Sequence, residues 1–145
     1  MKLDFSQKYA VRPLTAGDVD KILALCAENE QFYRYHPPMA TRESILADMT
    51  ALPPGTGVEN KHYLGFFDGD ALVAVLDLIE HYPQQNTAYI GFFMTKKERQ
   101  GCGLGTSLIG KLFDELRKEK FCRVRLAIDR GNPQSKAFWE KNGFA

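Results

Sequence analysis

From His62 to Asp68 (HYLGFFD) and from Ala71 to Glu80 (ALVAVLDLIE) the chain is almost continuously apolar, broken only by Gly69-Asp70. Two such runs joined by a DGD turn predict an antiparallel hairpin. Thr87 to Thr95 (TAYIGFFMT) predicts a further, aromatic strand, and Tyr9 to Thr15 (YAVRPLT) predicts the first one. Elsewhere the spacing is helical. Val19, Ile22, Leu23 and Cys26 share one helix face, and Thr15 three residues before Asp18 resembles a capping box at its start. A short helix from Thr41 carries Ile45, Leu46, Met49 and Leu52. Leu104, Leu108, Ile109, Leu112, Phe113 and Leu116 trace the face of a longer one. Cys122 to Asp129 alternates, with Val124, Leu126 and Ile128 on one side. A last helix begins at Asn132-Pro133, where Asn caps and Pro needs no donor, and stops near Asn142-Gly143.

Between the first two helices, NEQFYRYHPPMA (residues 29–40) is aromatic, polar and closed by two prolines, and reads as a loop whose rings need a surface to cover. The order is thus strand, two helices, an antiparallel run of strands, a strand-helix-strand crossover and a final helix. A crossover of that length makes the strands at 87–95 and 122–129 parallel. The expectation is one α/β (α+β) domain over residues 1–145, with a mixed central sheet and about four helices.

Composition changes this picture little. The 145 residues are 44% hydrophobic and 26% charged, ordinary for a soluble globular domain. A net charge of +1 argues against nucleic acid or an anionic membrane as partner. Cys26, Cys102 and Cys122 are odd in number and widely spaced, so neither a disulfide framework nor a metal site is expected. The opening MKLDFSQKYA has no apolar targeting core, which makes the cytoplasm the expected location.

The candidate chemistry lies in RQGCGLGTS (residues 99–107), where Gly101, Gly103 and Gly105 precede the long helix. A dinucleotide-binding Gly-x-Gly-x-x-Gly fails, because its last position falls on Thr106 or Leu108. A Walker loop over Gly105 to Lys111 also fails, since Leu112 replaces the metal-binding hydroxyl and the residues lie inside the helical stripe. What remains is Gln-x-x-Gly-x-Gly at Gln100, Gly103 and Gly105, between strand and helix. A helix start offers unpaired amides and a positive dipole end to a pyrophosphate, and glycines let its oxygens approach. A strand-to-helix turn with no ligand accounts for the same glycines.

This loop resembles the acetyl-CoA-binding loop of the GNAT superfamily of N-acetyltransferases. Asn132 to Phe144 (NPQSKAFWEKNGF) resembles that family's next block: Asn, a small residue, an aromatic pair, then Gly-Phe. Together the motifs cover about the last third of the chain, and the preceding elements follow the family's order. The resemblance implies acetyl-CoA as co-substrate, no metal, and two parallel strands that splay apart around it. Phe93, Met94 and Thr95 would contact the pantetheine arm through their backbone, with the amide near Phe93 donating to the thioester carbonyl. Gln100, Gly101, Cys102, Gly103, Gly105 and Thr106 would hold the pyrophosphate, Cys102 by its amide and not as a nucleophile.

Asn132 is at once a helix cap and, by the resemblance, a hydrogen-bond partner of the pantetheine arm. Phe138 and Trp139 are core residues of an amphipathic helix or flank the CoA. Trp139 stands where many family members carry a tyrosine that protonates the leaving thiolate; an indole is no usable acid. A thiol of pKa about 8.5 still leaves with solvent as proton source. An amine of pKa about 10 needs a base. Asp77, Glu80 and Tyr89 are candidates on the strands, and Glu80, at a strand end, is chosen; a solvated carboxylate is the competing account. Tyr33, Tyr35 and His36 lie in the loop that would form the acceptor pocket.

The family continues past Gly-Phe into another strand, whereas this sequence ends at Ala145, so either that strand is missing or another subunit, as in a homodimer, completes the sheet. The expected activity is acetyl transfer from acetyl-CoA to a small-molecule or peptide primary amine by direct attack. The alternative is a non-catalytic acyl-CoA-binding regulatory module.

Overall fold

A computed structural model describes residues 8–144; the first seven residues of the opening read for targeting, and Ala145, lie outside them. Five strands form one mixed sheet in chain order: β1 (Ala10–Pro13), β2 (Lys61–Asp68), β3 (Ala71–Glu80), β4 (Thr87–Thr95) and β5 (Arg123–Leu126). The first four are antiparallel and β5 runs parallel to β4. The helices are α1 (Val19–Ala27), α2 (Glu30–Tyr35), α3 (Arg42–Thr50), α4 (Leu104–Lys118) and α5 (Pro133–Lys141).

The almost unbroken apolar run of β3 has a simple cause: it is the central strand, covered on both faces. On one face Leu64, Phe66, Val73, Leu76, Leu78 and Ile90 meet the stripe Leu104, Leu108, Ile109, Leu112 and Leu116 of α4. On the other, Tyr63, Phe67, Leu72, Val75 and Met94 meet Val19, Ile22, Leu25 and Cys26 of α1 and Ile45 of α3. Each fully buried aliphatic side chain contributes about 1.5–3 kcal/mol relative to exposure, so α4 is held chiefly by its stripe.

Three expectations change. Residues 29–40 are not all loop: Glu30–Tyr35 form α2, which raises the helix count to five. Its single turn and a half shows no readable period, and it is held by packing, with the Phe32 ring 6.0 Å from that of Phe92. In α3, Ile45 is buried but Leu46 is 42% exposed, so the predicted stripe is narrower. The strand predicted at 122–129 pairs with β4 only from Arg123 to Leu126, and Ile128, expected beside Val124 and Leu126, is exposed. The chain has left the sheet by then, and the gap it leaves is the functional feature of the fold.

Candidate functional site

β4 and β5 are paired from Thr87↔Arg123 to Ile90↔Leu126 and then separate. β4 continues to Thr95 with no strand partner on its outer side, while residues 127–129 turn away toward α5. At the point of parting β4 carries a bulge: Ile90 pairs with Leu78 and Phe92 with Asp77, leaving Gly91 as the extra residue. Gly91 has no room for a side chain without crowding, because a Cβ there would stand 3.2 Å from the Asp77 carboxylate. A cavity of about 610 Å³ fills the gap, within the size range of small-molecule sites.

Of the twelve positions named above for the co-substrate, eleven line this cavity: Phe93, Met94, Thr95, Gln100, Gly101, Gly103, Gly105, Thr106, Asn132, Phe138 and Trp139. Cys102 does not; it is exposed, and its thiol donates to the Arg99 carbonyl at 2.6 Å. Glu80, chosen as base, is likewise not brought to the cavity. It pairs with Ala88, on the closed side of the parting, and its carboxylate is engaged by the His62 imidazole of β2. Asp77 lies behind Gly91, also off the cavity, with Lys61 Nζ 3.0 Å from its Oδ2. Burial pushes its carboxyl up, and Lys61 partly opposes this. Of the aromatic segment, His36 lines the cavity and Tyr33 and Tyr35 do not. Tyr33 turns inward toward Cys26, and burial drives its hydroxyl far above the usual range.

The three glycines answer to two different demands. Gly101 and Gly103 are left-handed, with φ of 81° and 85°, and Gly103 caps α4. The first amides of α4, from Leu104 to Thr106, therefore face the loop with no carbonyl of their own helix to bond. Gly105 is helical, and a Cβ there would lie 2.9 Å from Phe138. Phe93, Phe138 and Trp139 form one aromatic wall, with ring centroids 4.8 to 6.1 Å apart.

Gln100 has its side chain committed: Nε2 donates to Asn29 Oδ1 at 2.6 Å and to the Thr95 carbonyl at 3.0 Å. Asn29, buried, in turn donates to the carbonyls of Leu25 and Thr95. The pair ties the end of α1 to the end of β4 and so fixes the loop's point of departure. Asn132, also buried, caps α5 by accepting the Ser135 N–H at 3.1 Å through Oδ1. Sequence reasoning missed Asn29, Phe32, Phe92 and Asp129 as cavity residues, whereas Tyr89, one of the three strand candidates, lines the cavity. The four missed residues are brought together only by the fold. Among the described residues no group of three or more His, Cys, Asp or Glu is placed to hold a metal ion, and no helix is long and apolar enough to cross a membrane.

Residues 22–144 match the model of the acetyltransferase (GNAT) family. No curated protein matches the chain as a relative. An acetyltransferase from Thermus thermophilus superposes with a TM-score of 0.81 at 21% identity, over 100% of this chain and 90% of the other. The PaiA N-acetyltransferase of Thermoplasma acidophilum, solved in complex with coenzyme A, gives 0.70 at 19% identity over 94% and 89%. The ribosomal-protein-S18-alanine N-acetyltransferase of Escherichia coli gives 0.69 at 16% identity over 94% and 77%. At these identities the solved structures speak for the fold alone. The family match over most of the chain, joined to a glycine-capped helix that opens onto that gap, means that the chain belongs to the GNAT family of acetyltransferases.

Proposed function

We propose that the protein moves an acetyl group from acetyl-CoA to a primary amine by direct attack of the amine, without an acyl-enzyme. The observation that carries this reading is the parting of β4 and β5 after Ile90 and Leu126, which opens onto the N-terminal amides of α4. Those amides, reached past Gln100, Gly101, Cys102, Gly103, Gly105 and Thr106, suit a pyrophosphate. The outer backbone edge of Phe93, Met94 and Thr95 has no strand partner and suits the amides of a pantetheine arm, which adds to the sheet as a strand would. The cap consumes only Oδ1 of Asn132, so its two N–H donors remain for a pantetheine carbonyl. Phe138 and Trp139 wall the thioester end.

Attack places negative charge on the thioester oxygen, and the Phe93 amide is assigned as its donor. The C–S bond then breaks. Trp139 supplies no acid, so the thiolate, of pKa about 8.5, is protonated by another group or by solvent. Glu80 could serve as base only through intervening groups, given its engagement by His62. The acceptor is a small-molecule or peptide amine, in the cytoplasm, with no metal, nucleic acid or membrane involved, and a homodimer is one assembly open to test. Trp139 supports a second reading, a non-catalytic acyl-CoA-binding regulatory module.

The test is incubation with acetyl-CoA and a panel of polyamines, amino acids, aminoglycosides and peptides, following free thiol. Release that depends on the amine supports transfer. Binding without release on any amine, across pH 6 to 9, favours the module, and no thermal shift with CoA overturns both.

A further inference from the structure

A side-chain contact joins two banks of the cavity. His36, at the C-terminus of α2, places Nδ1 2.8 Å from Oδ1 of Asp129, in the segment that follows β5. Both residues line the cavity. The His36 ring packs against Phe32 at 5.4 Å between centroids, and Phe32 packs edge-on against Phe92, the residue after the Gly91 bulge. Two ring contacts in series thus link the imidazole to Phe92, beside the point where the strands part.

A carboxylate accepts but never donates, so the hydrogen bond to Asp129 requires the proton on Nδ1. Neutral His36 then carries its lone pair on Nε2, away from Asp129. Asp48 of α3 is a second carboxyl within electrostatic reach of the imidazole; burial pushes it up, and Lys61 and then His36 oppose this. His36 is half exposed, as a group must be that exchanges protons with solvent between turnovers.

The geometry points to His36 as the general base that takes the proton from the acceptor amine, with Asp129 as the positioning residue that sets its tautomer. This rests on the amine-acetylation reading above. An acceptor arriving as an ammonium first loses one proton through Nε2 to solvent. As the amine nitrogen bonds to the thioester carbon, the carbonyl electron pair moves onto oxygen and Nε2 takes the second N–H proton. Collapse re-forms the carbonyl and breaks the C–S bond, and the imidazolium proton returns to the departing sulfur directly or by water. Protons balance, leaving acetamide and free thiol. The same step explains how Trp139 is tolerated: the acid that a tyrosine would have supplied is the imidazolium itself.

The experiment uses the full chain, with the best amine from the panel. Removing a general base lowers kcat by about 10²–10⁴-fold. H36A and H36Q are expected to fall by that much, with the KM for acetyl-CoA and the CoA-induced thermal shift unchanged. Added imidazole should restore turnover in H36A, where it fits, and not in H36Q. H36Q is the decisive variant against a mere latch, because glutamine keeps a donor for Asp129 but no titratable lone pair. D129N presents a donor to Nδ1, moves the proton to Nε2 and should lose a similar factor, whereas H36A/D129N should be no worse than H36A. Turnover of H36Q or H36A within a few-fold of the unaltered protein overturns the assignment, as does loss that imidazole never restores. If the unaltered protein itself acetylates no amine, the functional reading fails with it; if it does and H36Q matches it, only His36 is displaced.

Discussion

Phe138 occupies the space that a side chain on Gly105 would need: a Cβ there would lie 2.9 Å from Cε1 of the ring and 3.1 Å from Cζ. Two motifs more than thirty residues apart in sequence, the glycine loop and the aromatic pair, are therefore one packed unit. Its third member is Phe93 of β4, whose ring lies 6.1 Å from that of Phe138. Replacing Gly105 by Ala gains helix propensity, up to about 1 kcal/mol, and forces the ring to move. The atoms in the way are the far end of a side chain that borders the cavity, so the ring can yield into it. G105A should melt within a few degrees of the unaltered protein yet bind CoA several-fold more weakly. Adding F138L should restore the affinity, as read by calorimetric titration. Unchanged affinity in G105A would separate the two motifs again.

Gly103 answers to a different constraint. Its φ of 85° is in the left-handed region, and the space around its Cβ position is open. A β-branched residue is strained there whatever the room, at a cost of about 1–2 kcal/mol, and its branch would crowd the approach to the first amides of α4. G103V should lose at least tenfold in CoA affinity and melt a few degrees lower with the same far-ultraviolet circular dichroism. G103N, which tolerates a positive φ, should keep most of both. If both substitutions weaken binding equally, the backbone conformation is not what the loop needs.

How much of this was readable beforehand follows from where each signal resides. β2, β3 and β4 stood out because apolar runs separated by Gly-Asp or polar turns are local, and the observed ends of β3 and β4 match the predicted ones. The helix start at Thr41 and the cap at Asn132 were equally local. α2 was not readable, because six residues held by Phe32 against Phe92 depend on a strand sixty residues away. The shortening of β5 was hidden by an alternation that continues through Ile128 after the hydrogen bonding has ended. Eleven of the positions assigned to the co-substrate line one cavity because a glycine loop and a helix cap are contiguous in sequence. Glu80, by contrast, was chosen for its place at a strand end, but antiparallel pairing carries that end to the closed side of the sheet. His36 and Asp129 meet across 93 positions, a separation at which one sequence gives no signal.

Arg12 and Asp18 make a two-pronged ion pair, with Nη1 2.9 Å from Oδ2 and Nη2 2.8 Å from Oδ1. The Thr15 N–H adds a third donor at 2.9 Å. Hydrogen bonding to Arg12 holds the Asp18 carboxyl well below the usual carboxylate range, against the opposing effect of burial. A carboxyl lowered in the folded state stabilises the fold above its unfolded value of about 3.9, and that contribution is lost as pH falls further, toward the folded value. D18N should cost about 1–3 kcal/mol at neutral pH, the scale of hydrogen bonds to a charged group. In urea titrations the gap between the two proteins should hold from pH 7 to 5 and narrow steadily below about 4. A gap independent of pH would mean that shape, not charge, explains Asp18.

Lys61 and Asp77 form a further ion pair that is buried on both sides, with side chains 8% and 13% exposed. Lys61 also donates to the Ala51 carbonyl at 2.9 Å, while Oδ1 of Asp77 is buried with no hydrogen-bond partner. Desolvation raises the Asp77 carboxyl, with Lys61 opposing it. Taking away one member of such a pair strands a charge and costs about 3–5 kcal/mol, whereas replacing both with apolar or neutral groups of similar size is often close to neutral. K61M should therefore be strongly destabilised, and K61M/D77N should recover most of the loss. The pH response distinguishes this from a packing effect. Without Lys61 the Asp77 carboxyl rises further, so the folded state binds a proton at a pH where the unfolded state has released it. Stability of K61M must then increase as pH falls through that folded value and decline as pH rises, opposite in sign to the Asp18 effect. D77N in the same background removes the titrating group and should flatten the slope. Because Asp77 lies behind the Gly91 bulge, a K61M protein rescued by mild acid should also regain CoA binding in the same pH range, as read by thermal shift with and without CoA.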